Sequence, residues 1–581
     1  MITESAKDSL RLSDDALCLL QDRYRERWSS LTKTAEDALL AILRCLEDLL
    51  TANPPPTRQY FLSSVDPGVG KTEAVCMFLK AWKAKGFKPT GGVLVAVSRH
   101  DEIEAFIERS GLTDDDFAVL VAQGAQVSSR GLRDHGSAPV LFTTHEMIRR
   151  RSRGGAEFAH LDCFHYRSRP RSCRVWDEAM LPAQPVNLRL DAIKGLLEHL
   201  RPAAPEVAVI VDGLIGQVAQ AEVGDIIRVP LLARRIARPE AVFNGQMAER
   251  WAKLVELAGR QVTVMSSNLH GLELVACVDQ LPEDFAPAVI LDASARLRHT
   301  YRVWERTSGN IVRLPAAITD YRPLVIHHWD RSASRSTFYD SKTRSNVLSG
   351  VAALIEAERD RKWLVIHHVP RGDLDMPTEL LKLISSHEAK VQFCHWGAHH
   401  GTNAYRQADR VVVLGLWHFS PATYQALYQA SGCSQPSLVD GQEVAPLQAG
   451  EHCHNLLQAV CRASVRNGSD GICGHCTVYV IGRIDADTKG HLQTTFPGAT
   501  VRDWSPSIRP LRGKALQVIN IMEAEFADPE AASVQKKVLT MRAGFSRSQE
   551  LAQVLRRADV KRWMLERGLT TTTRTITRRA A

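Results

Sequence analysis

One stretch of the chain, residues 60–72, restricts the fold more than any other. An apolar run, Tyr60–Val65, leads into a turn of small residues that ends at Lys71 and Thr72, and residues 73–80 then follow a helical pattern. A strand, a tight Gly-containing turn and a helix in this order form a phosphate-binding loop (P-loop), in which backbone N–H groups and the helix N-terminus hold phosphates. The residues predicted to contact a nucleotide here are Asp66, Pro67, Gly68, Val69, Gly70, Lys71 and Thr72.

The two polar residues that close this loop have distinct expected roles. The ammonium group of Lys71 would reach the β- and γ-phosphates, and the hydroxyl of Thr72 would bind Mg²⁺. ATP and Mg²⁺ are therefore the expected cofactors. Val65 stands where the usual motif has its first glycine. The alternative interpretation is a chance Gly-Lys-Thr turn, which the flanking strand and helix disfavour.

A second polar cluster, Asp177-Glu178, follows the apolar segment Val175-Trp176. If Asp177 ends a buried strand, its carboxylate can hold Mg²⁺, as Thr72 would from the P-loop side. Glu178 would then orient or deprotonate an attacking water molecule. An exposed acidic pair on a turn is the alternative interpretation, which the P-loop earlier in the same α/β pattern makes less favourable.

The composition is that of a soluble globular protein with several domains. Hydrophobic residues make up 44% and charged residues 24% of the 581. No apolar run approaches the ~20 residues that span a bilayer, and the first residues do not follow a signal-peptide pattern. We therefore expect a cytoplasmic protein without membrane contact. The twelve cysteines lack a repeating frame, which favours reduced thiols over a disulfide scaffold.

The positive charge is concentrated at one end of the chain. The formal net charge is +8, and residues 501–581 alone contain 16 Lys and Arg against 8 Asp and Glu. A basic terminal segment on a nearly neutral body indicates contact with nucleic acid. A basic face that is merely solvated is the alternative, and charge alone does not decide between them.

The order of apolar patterns predicts an α/β protein with additions at both ends. Short β-prone runs alternate with helical segments, which favours parallel sheets with crossover helices. The runs predicted as strands of the first domain are Tyr60–Val65, Gly92–Val97, Ala118–Val121, Val140–Thr143, Arg174–Trp176, Val207–Val211 and Val289–Leu291. The predicted parts are a helical N-terminal extension (1–56), a first α/β domain (57–318) with an insertion at about 213–285, a second α/β domain (319–500) and a basic C-terminal domain (501–581).

Asp177-Glu178-Ala-Met resembles the Asp-Glu-x-x box of superfamily-two helicases and translocases, and other segments resemble further motifs in the family's order. These segments are residues 94–99, 140–148, 290–295 (around Asp292 and Ser294) and 401–403. The Gly-Thr-Asn of the last one is similar to a motif in some DNA helicases of phages and mobile elements. The resemblance implies nucleic-acid contacts from Thr144, Gly401, Thr402 and Asn403.

Residues 455–466 resemble the Gln-x-x-Gly-Arg-x-x-Arg motif that supplies an arginine finger in this family. Gln458 and Arg462 keep the family's spacing, but Cys461 stands in place of glycine and Arg466 falls one residue late. The resemblance implies that Arg462 stabilises charge on the γ-phosphate and that Arg466 is a second nucleotide contact. A basic amphipathic helix is the alternative interpretation.

The C-terminal segment resembles a winged helix-turn-helix. A capping box at Ser546–Gln549 opens one helix, Asp559 can cap a basic helix at 560–567, and a β-prone tail follows at 570–577. Small helical protein-binding domains share this pattern. Lys561, Arg562 and Arg567 are the residues expected to face DNA.

The sequence thus favours an ATP-dependent helicase or translocase with two RecA-like P-loop domains, acting on nucleic acid, with DNA as the expected form. One alternative is a P-loop ATPase switch or loader that acts on proteins, and another is a nucleotide-binding DNA regulator without turnover. A metal site at Cys473 and Cys476 competes with unligated thiols. The sequence leaves open DNA versus RNA, polarity, unwinding versus translocation, oligomeric state and pathway.

Overall fold

The computed structural model gives the positions of most of the chain. It describes residues 11–26, 29–51, 58–89, 91–153, 155–232, 236, 238–267, 271–278, 281–369, 374–384, 389–398, 404–432, 436–506, 513–528, 531–557, 560, 563–564 and 567–578. In these residues, no helix is both long and apolar enough to cross a membrane.

Two helices, α1 (Leu12–Arg25) and α2 (Lys33–Thr51), precede the first sheet. Leucines recur along α2 every three or four residues, so one face of the helix is apolar and packs into the core of the first α/β domain. The carboxylate of Glu47 on α2 accepts hydrogen bonds from the N–H groups of Leu12 (2.9 Å) and Ser13 (3.2 Å), and thereby satisfies the open N-terminus of α1. The extension is therefore part of the domain.

The first α/β domain begins with alternating strands and helices. They are β1 (Tyr60–Ser63), α3 (Lys71–Ala84), β2 (Val93–Val97), α4 (His100–Ser110), β3 (Phe117–Leu120), β4 (Val140–Thr144), α5 (His145–Arg151), the short pair β5 (His165–Tyr166) and β6 (Arg169–Pro170), and β7 (Cys173–Asp177). Strands β1 to β4 and β7 consist almost wholly of buried residues, as expected of a parallel sheet covered on both faces.

An insertion with its own core follows β7. Its elements are β8 (Gln184–Arg189), α6 (Leu190–Ala203), α7 (Pro205–Gln220), β9 (Ile226–Arg228), α8 (Pro239–Val242), α9 (Gly245–Leu257), β10 (Gln261–Ser267) and β11 (Gly271–Val278). The strands form an antiparallel sheet in the order β8-β11-β10-β9. Helices α6, α7 and α9 cover one face of this sheet, through residues such as Leu196, Val211 and Leu254.

After the insertion the chain completes the first sheet with β12 (Ala288–Leu291), α10 (His299–Ser308) and β13 (Ile311–Arg313). The strand order is β13-β1-β12-β7-β2-β4-β3, with every pairing parallel. The P-loop leaves the carboxyl end of β1, and Asp177 lies at the carboxyl end of β7. Both therefore meet at the edge where parallel α/β sheets bind ligands.

The second α/β domain is built around another parallel sheet. Its elements are β14 (Leu324–Trp329), α11 (Ser341–Ala357), β15 (Lys362–His367), α12 (Met376–Leu381), β16 (Lys390–His395), β17 (Arg410–Leu414), α13 (Pro421–Ala430), α14 (Gly441–Val460), β18 (Cys476–Ile481), α15 (Thr488–Thr495) and β19 (Thr500–Asp503). The strand order is β16-β15-β17-β18-β14-β19. The two parallel sheets, each flanked by helices, are two RecA-like domains in tandem.

The C-terminal domain has a separate core. Its elements are α16 (Lys514–Glu525), β20 (Ser533–Gln535), α17 (Lys536–Arg542), α18 (Ser548–Arg556), β21 (Leu569–Thr571) and β22 (Thr575–Arg578). The strands form an antiparallel sheet in the order β20-β22-β21. Helix, strand, two helices and a terminal hairpin follow one another in this order.

One predicted strand and two domain boundaries differ from the sequence predictions. Val207–Val211 was predicted as a strand and lies in α7, because an apolar run of five residues fits a buried helix as well as a strand. The insertion begins at β8 near residue 184 instead of 213. The second sheet continues through β19, so the predicted boundary at 500 falls at the start of its last strand.

Candidate active site

The P-loop takes the compact form that its small residues permit. Gly68 and Gly70 have φ angles of +92° and +113°, which side chains with a Cβ rarely adopt, and α3 starts directly at Lys71. A Cβ on Gly70 would lie 2.9 Å from the hydroxyl oxygen of Tyr24, and this hydroxyl donates a short hydrogen bond to the carbonyl of Val69. The N-terminal extension therefore packs directly against the loop.

Asp66 has a structural role that the sequence pattern did not reveal. Its carboxylate is fully buried, forms an ion pair with Arg296 (3.1 Å), and accepts hydrogen bonds from the hydroxyl of Tyr321 (2.8 Å) and the N–H of Thr319 (3.2 Å). The side chain thus joins the P-loop to the segment that leads into the second domain, and is not directed at the site of the phosphates.

The P-loop and the acidic box are in direct contact. The hydroxyl of Thr72 donates a hydrogen bond to Asp177 Oδ2 (3.2 Å), while Asp177 Oδ1 is buried and has no partner among the described residues. Burial raises the pKa of Asp177 to about 7, and the neighbouring ammonium of Lys71 opposes this rise. Burial lowers the pKa of Lys71. A divalent cation between Thr72 and Asp177 would satisfy the free oxygen and favour the ionised carboxylate.

Glu178 leaves the end of β7 in a conformation that is rare for a residue with a side chain, with φ of +78°. Its N–H donates to the carbonyl of Leu291 (3.1 Å), and Ser98 Oγ lies 3.4 Å from its carboxylate. Burial raises the pKa of Glu178, and the guanidinium of Arg462 opposes the rise. Backbone strain held by neighbouring strands is common where a side chain must point into a site.

Side chains from both RecA-like domains line one cleft of about 260 Å³. Arg462 is 8% exposed and donates to Gln458 Oε1 (3.3 Å), and burial lowers the pKa of Arg466 to about 10. The predicted residues that meet in this cleft are Pro67, Gly68, Lys71, Thr72, Asp177, Glu178, Gln458, Arg462 and Arg466. Residues separated by almost 400 positions are thus brought together.

Helix α4 supplies cleft residues that sequence reasoning missed. Asp101, Glu102 and Arg109 line the same cleft. Glu102 accepts hydrogen bonds from the N–H and hydroxyl of Ser98 (3.0 and 2.9 Å), and burial and the charge of Glu178 raise its pKa. Glu102 also accepts from the N–H of Arg99 (3.1 Å), the residue that precedes α4. An acid in the first turn of a helix, which can accept from the N–H of the preceding cap residue, was the available signal.

Two of the predicted nucleic-acid contacts, Thr144 and Arg567, lie among the described residues. Thr144 is 9% exposed, and its hydroxyl caps α5 by accepting from the N–H of Met147 (3.2 Å). Arg567 lies over the ring of Trp563 and forms an ion pair with Glu523 (3.2 Å). Five further predicted contacts, Gly401, Thr402, Asn403, Lys561 and Arg562, lie outside the described residues.

The cysteines predicted as possible ligands are buried. Cys473 and Cys476 line the core of the second domain. Across the described part of the chain, no group of three or more His, Cys, Asp or Glu side chains is arranged to hold a metal ion.

No family model matches the chain, and no curated protein matches it in sequence. Solved structures of similar architecture include Xpd4 of S. tokodaii, with 14% identity and a TM-score of 0.44 over 77% of this chain and 96% of that one. S. cerevisiae Dbp5 bound to RNA and ADP BeF3 has 12% identity and a TM-score of 0.33 over 81% and 94%. A DEAD box protein from Methanococcus jannaschii has 8% identity and a TM-score of 0.26 over 86% and 98%.

Such low identities and TM-scores establish neither activity nor substrate. The strand orders, and the place of the P-loop and the acidic box at the carboxyl ends of β1 and β7, define the fold. It is a tandem RecA-like fold.

Proposed function

We propose that this chain is a nucleic-acid-dependent ATPase of the superfamily-two helicase type, which hydrolyses ATP between its two RecA-like domains and moves along nucleic acid. The observation that carries this proposal is the shared cleft, in which Lys71, Asp177 and Glu178 of the first domain lie with Arg462 of the second. A site divided between two domains couples nucleotide binding and release to their relative motion.

The residues present fit ATP·Mg²⁺. Lys71 and the N–H groups of the P-loop would hold the β- and γ-phosphates, and Thr72 and Asp177 would hold the cation, which neutralises the developing charge. Glu178 would accept the proton of the attacking water molecule. Arg462 would stabilise negative charge on the γ-phosphate, a contribution of ~10³–10⁵ in rate where such arginines have been removed.

The partner of the proposed motor is nucleic acid, with DNA as the expected form. The net charge of +8 lies in residues 501–581, and the winged helix-turn-helix arrangement in this segment is a common DNA-binding unit. Its contribution would be mainly electrostatic and would weaken as salt rises.

The first experiment measures ATP hydrolysis without nucleic acid, and with single-stranded DNA, duplex DNA and RNA, for the wild type and for the Lys71→Ala and Glu178→Gln variants. We expect stimulation by one nucleic acid and loss of hydrolysis in both variants. Glu178→Gln should still bind ATP, because the change removes the base and leaves the phosphate contacts intact.

Two other outcomes would support the alternative functions. Hydrolysis that ignores nucleic acid would favour an ATPase switch that acts on proteins. Tight DNA binding without hydrolysis would favour a nucleotide-binding regulator, for which Val65 and Cys461, at positions where the motifs have glycine, are the supporting observations.

A further inference from the structure

Helix α14 of the second domain lies along the segment of the first domain that follows β12. This segment, residues 292–306, includes most of α10 and belongs to the domain that holds the P-loop. Helix α14 ends at Val460, two residues before Arg462. A shift of α14 along or about its axis would therefore move the arginine that lines the cleft.

A buried ion pair joins the middle of α14 to this segment. Arg298 donates to both carboxylate oxygens of Glu451, at 2.8 and 3.1 Å, and the side chains are 6% and 4% exposed. Asp292 lies 3.8 Å from Arg298 on its other side. A bidentate pair that is shielded from water fixes both position and orientation, because either charge left alone would be costly to bury.

Two further polar contacts flank this pair on the same helix. One turn nearer Arg462, Ser294 Oγ lies 2.5 Å from His454 Nδ1 and 2.6 Å from Asp292 Oδ1. Two turns in the other direction, the carboxylate of Glu443 contacts Arg306 (2.9 Å) and His299 (3.1 Å). The contacts therefore extend along α14 from its first turn to within one turn of Gln458.

Gly450 sets the distance between the helix and the segment. A Cβ at this position would lie 2.8 Å from the carbonyl oxygen of Leu297 and 2.9 Å from the nitrogen of His299, which is closer than real Cβ atoms approach. Both neighbours are backbone atoms, so they cannot rotate away. A larger residue would force the helix off the first domain.

These residues share one face of the helix. At 100° per residue, Glu443, Gly450, Glu451 and His454 fall within about 100° of arc, and Gln458 falls inside the same arc. Gln458 in turn accepts a hydrogen bond from Arg462 (3.3 Å). This face of α14 therefore carries both the contacts with the first domain and Gln458, which contacts the Arg462 guanidinium in the cleft.

We propose that Glu443, Gly450, Glu451 and His454 are positioning residues, through which the first domain sets the place of Arg462 in the cleft. This inference rests on the proposed function, since it assumes that Arg462 acts in hydrolysis. None of the four residues lines the cleft. Their effect should therefore fall on kcat, with little change in the binding of ATP.

The test compares Gly450→Ala with Gly441→Ala in the full chain. Both changes replace a glycine of α14 by a better helix former, but a Cβ at 441 would meet nothing within 4 Å. We expect Gly450→Ala to lower kcat by about 10- to 100-fold, the effect of misplacing a catalytic group by ~1 Å, with KM for ATP within about threefold of the wild type. Gly441→Ala should leave both constants unchanged.

A double variant shows whether the effect passes through the arginine. If Gly450 acts by positioning Arg462, adding Gly450→Ala to Arg462→Ala should lower kcat no further than about twofold. A full additional loss would overturn the proposal, and so would an unchanged kcat in Gly450→Ala alone. A wild type without hydrolysis, or an Arg462→Ala variant with normal kcat, would instead refute the proposed function.

If Gly450→Ala does not fold, the kcat and KM of Glu443→Gln test the proposal instead. Glu443 lies at the partly exposed start of the helix, so its replacement by an amide of the same shape should leave the fold intact. A lower kcat with unchanged KM supports the proposal, and an unchanged kcat overturns it.

Discussion

Arg462 shows how burial and charge prepare a single residue for its proposed role. Its guanidinium is 8% exposed, and burial lowers its pKa while the charge of Glu178 opposes this. An arginine stays charged despite such a cost. The cleft therefore contains a fixed positive charge that is poorly screened by water and acts strongly on a nearby phosphate.

Replacing Arg462 should reduce turnover far more than binding. We expect Arg462→Ala to lower kcat by ~10³ or more, with KM for ATP changed by no more than about tenfold. Steady-state hydrolysis at saturating nucleic acid measures both constants. Arg302→Ala, at an exposed position of α10, is the control and should behave as the wild type. Equal losses in the two variants would contradict the role of Arg462.

His491 predicts a pH dependence that is separate from the cleft. The Cys453 thiol and the Asp485 carboxylate, 2.7 Å from Nε2, raise the pKa of His491 to about 9. The folded protein therefore binds this proton more tightly than the unfolded chain, whose histidine has a pKa of about 6.5. The resulting stability is complete below about pH 6.5 and is lost as pH rises towards 9.

The matching experiment records apparent Tm of the wild type and of His491→Gln at pH 6 and pH 9. We expect the wild type to be more stable by about 1 kcal/mol at pH 6, after allowance for solvent screening, and the two proteins to converge at pH 9. His160→Gln, at an exposed histidine, should show no such convergence. A constant difference between wild type and His491→Gln would exclude the linkage.

For single residues, the sequence predicted which side chains come together at the cleft, but not the direction in which each side chain points. Thr72 and Asp177 could be placed together because both follow strands of one parallel sheet. Asp66 lies in the same loop, yet its carboxylate turns to Arg296 and Tyr321, partners that are distant in sequence. Thr144 likewise uses its hydroxyl to cap a helix. Local spacing does not specify such partners.

Among the elements, the insertion is the one whose packing was least expected from the sequence. One face of its sheet carries Met265 and Val275, and these pack against Ala422 and Ala426 of α13 in the second domain. Gln429 on the same helix donates to the hydroxyl of Thr263 (3.1 Å). An element that belongs to the first domain by sequence therefore contacts the second domain.

A charge in this contact should separate the insertion from α13. We expect Ala426→Asp to expose β10 and β11, because burying a carboxylate between apolar residues is unfavourable, while the insertion keeps its own helix-covered core. Hydrogen exchange measured by mass spectrometry should show faster exchange in residues 261–278 and little change in α6 and α9. Ala426→Ser is the control, and unchanged exchange in Ala426→Asp would disprove the contact.

Most strands of the two parallel sheets were predictable, since they are short apolar runs bounded by polar turns. Strands β13 and β19 were missed, because they have only three and four residues and include charged side chains. The insertion was harder to delimit, because its helix α7 has the apolar run Val207–Val211 on a helix that is apolar over much of its surface. Its sheet also starts at β8, which alternates buried and half-buried residues and resembles a loop in sequence. Pairing with β11, almost 90 residues later, makes it a strand.

At the level of the whole molecule, parts that are not themselves RecA-like add to the direct contacts between the two RecA-like domains. The insertion meets α13, and the N-terminal extension meets both the P-loop, through Tyr24, and the second domain. Ser30 donates to Asp470 from its N–H (2.9 Å) and its hydroxyl (2.7 Å). The sequence indicated a helical extension without chemistry, and its position between the domains required the structure.

The two attachments of the extension, at Tyr24 and Ser30, limit the distance between the groups that they contact. Six peptide units separate Tyr24 from Ser30, and a fully extended chain gains at most ~3.5 Å per residue. While both attachments hold, the Cα atoms of Tyr24 and Ser30 stay within about 21 Å of each other, so the P-loop and the Asp470 loop remain tethered whatever nucleotide is bound. The extension thus acts as a short tether between the two domains. It limits how far the two domains can separate when the cleft opens.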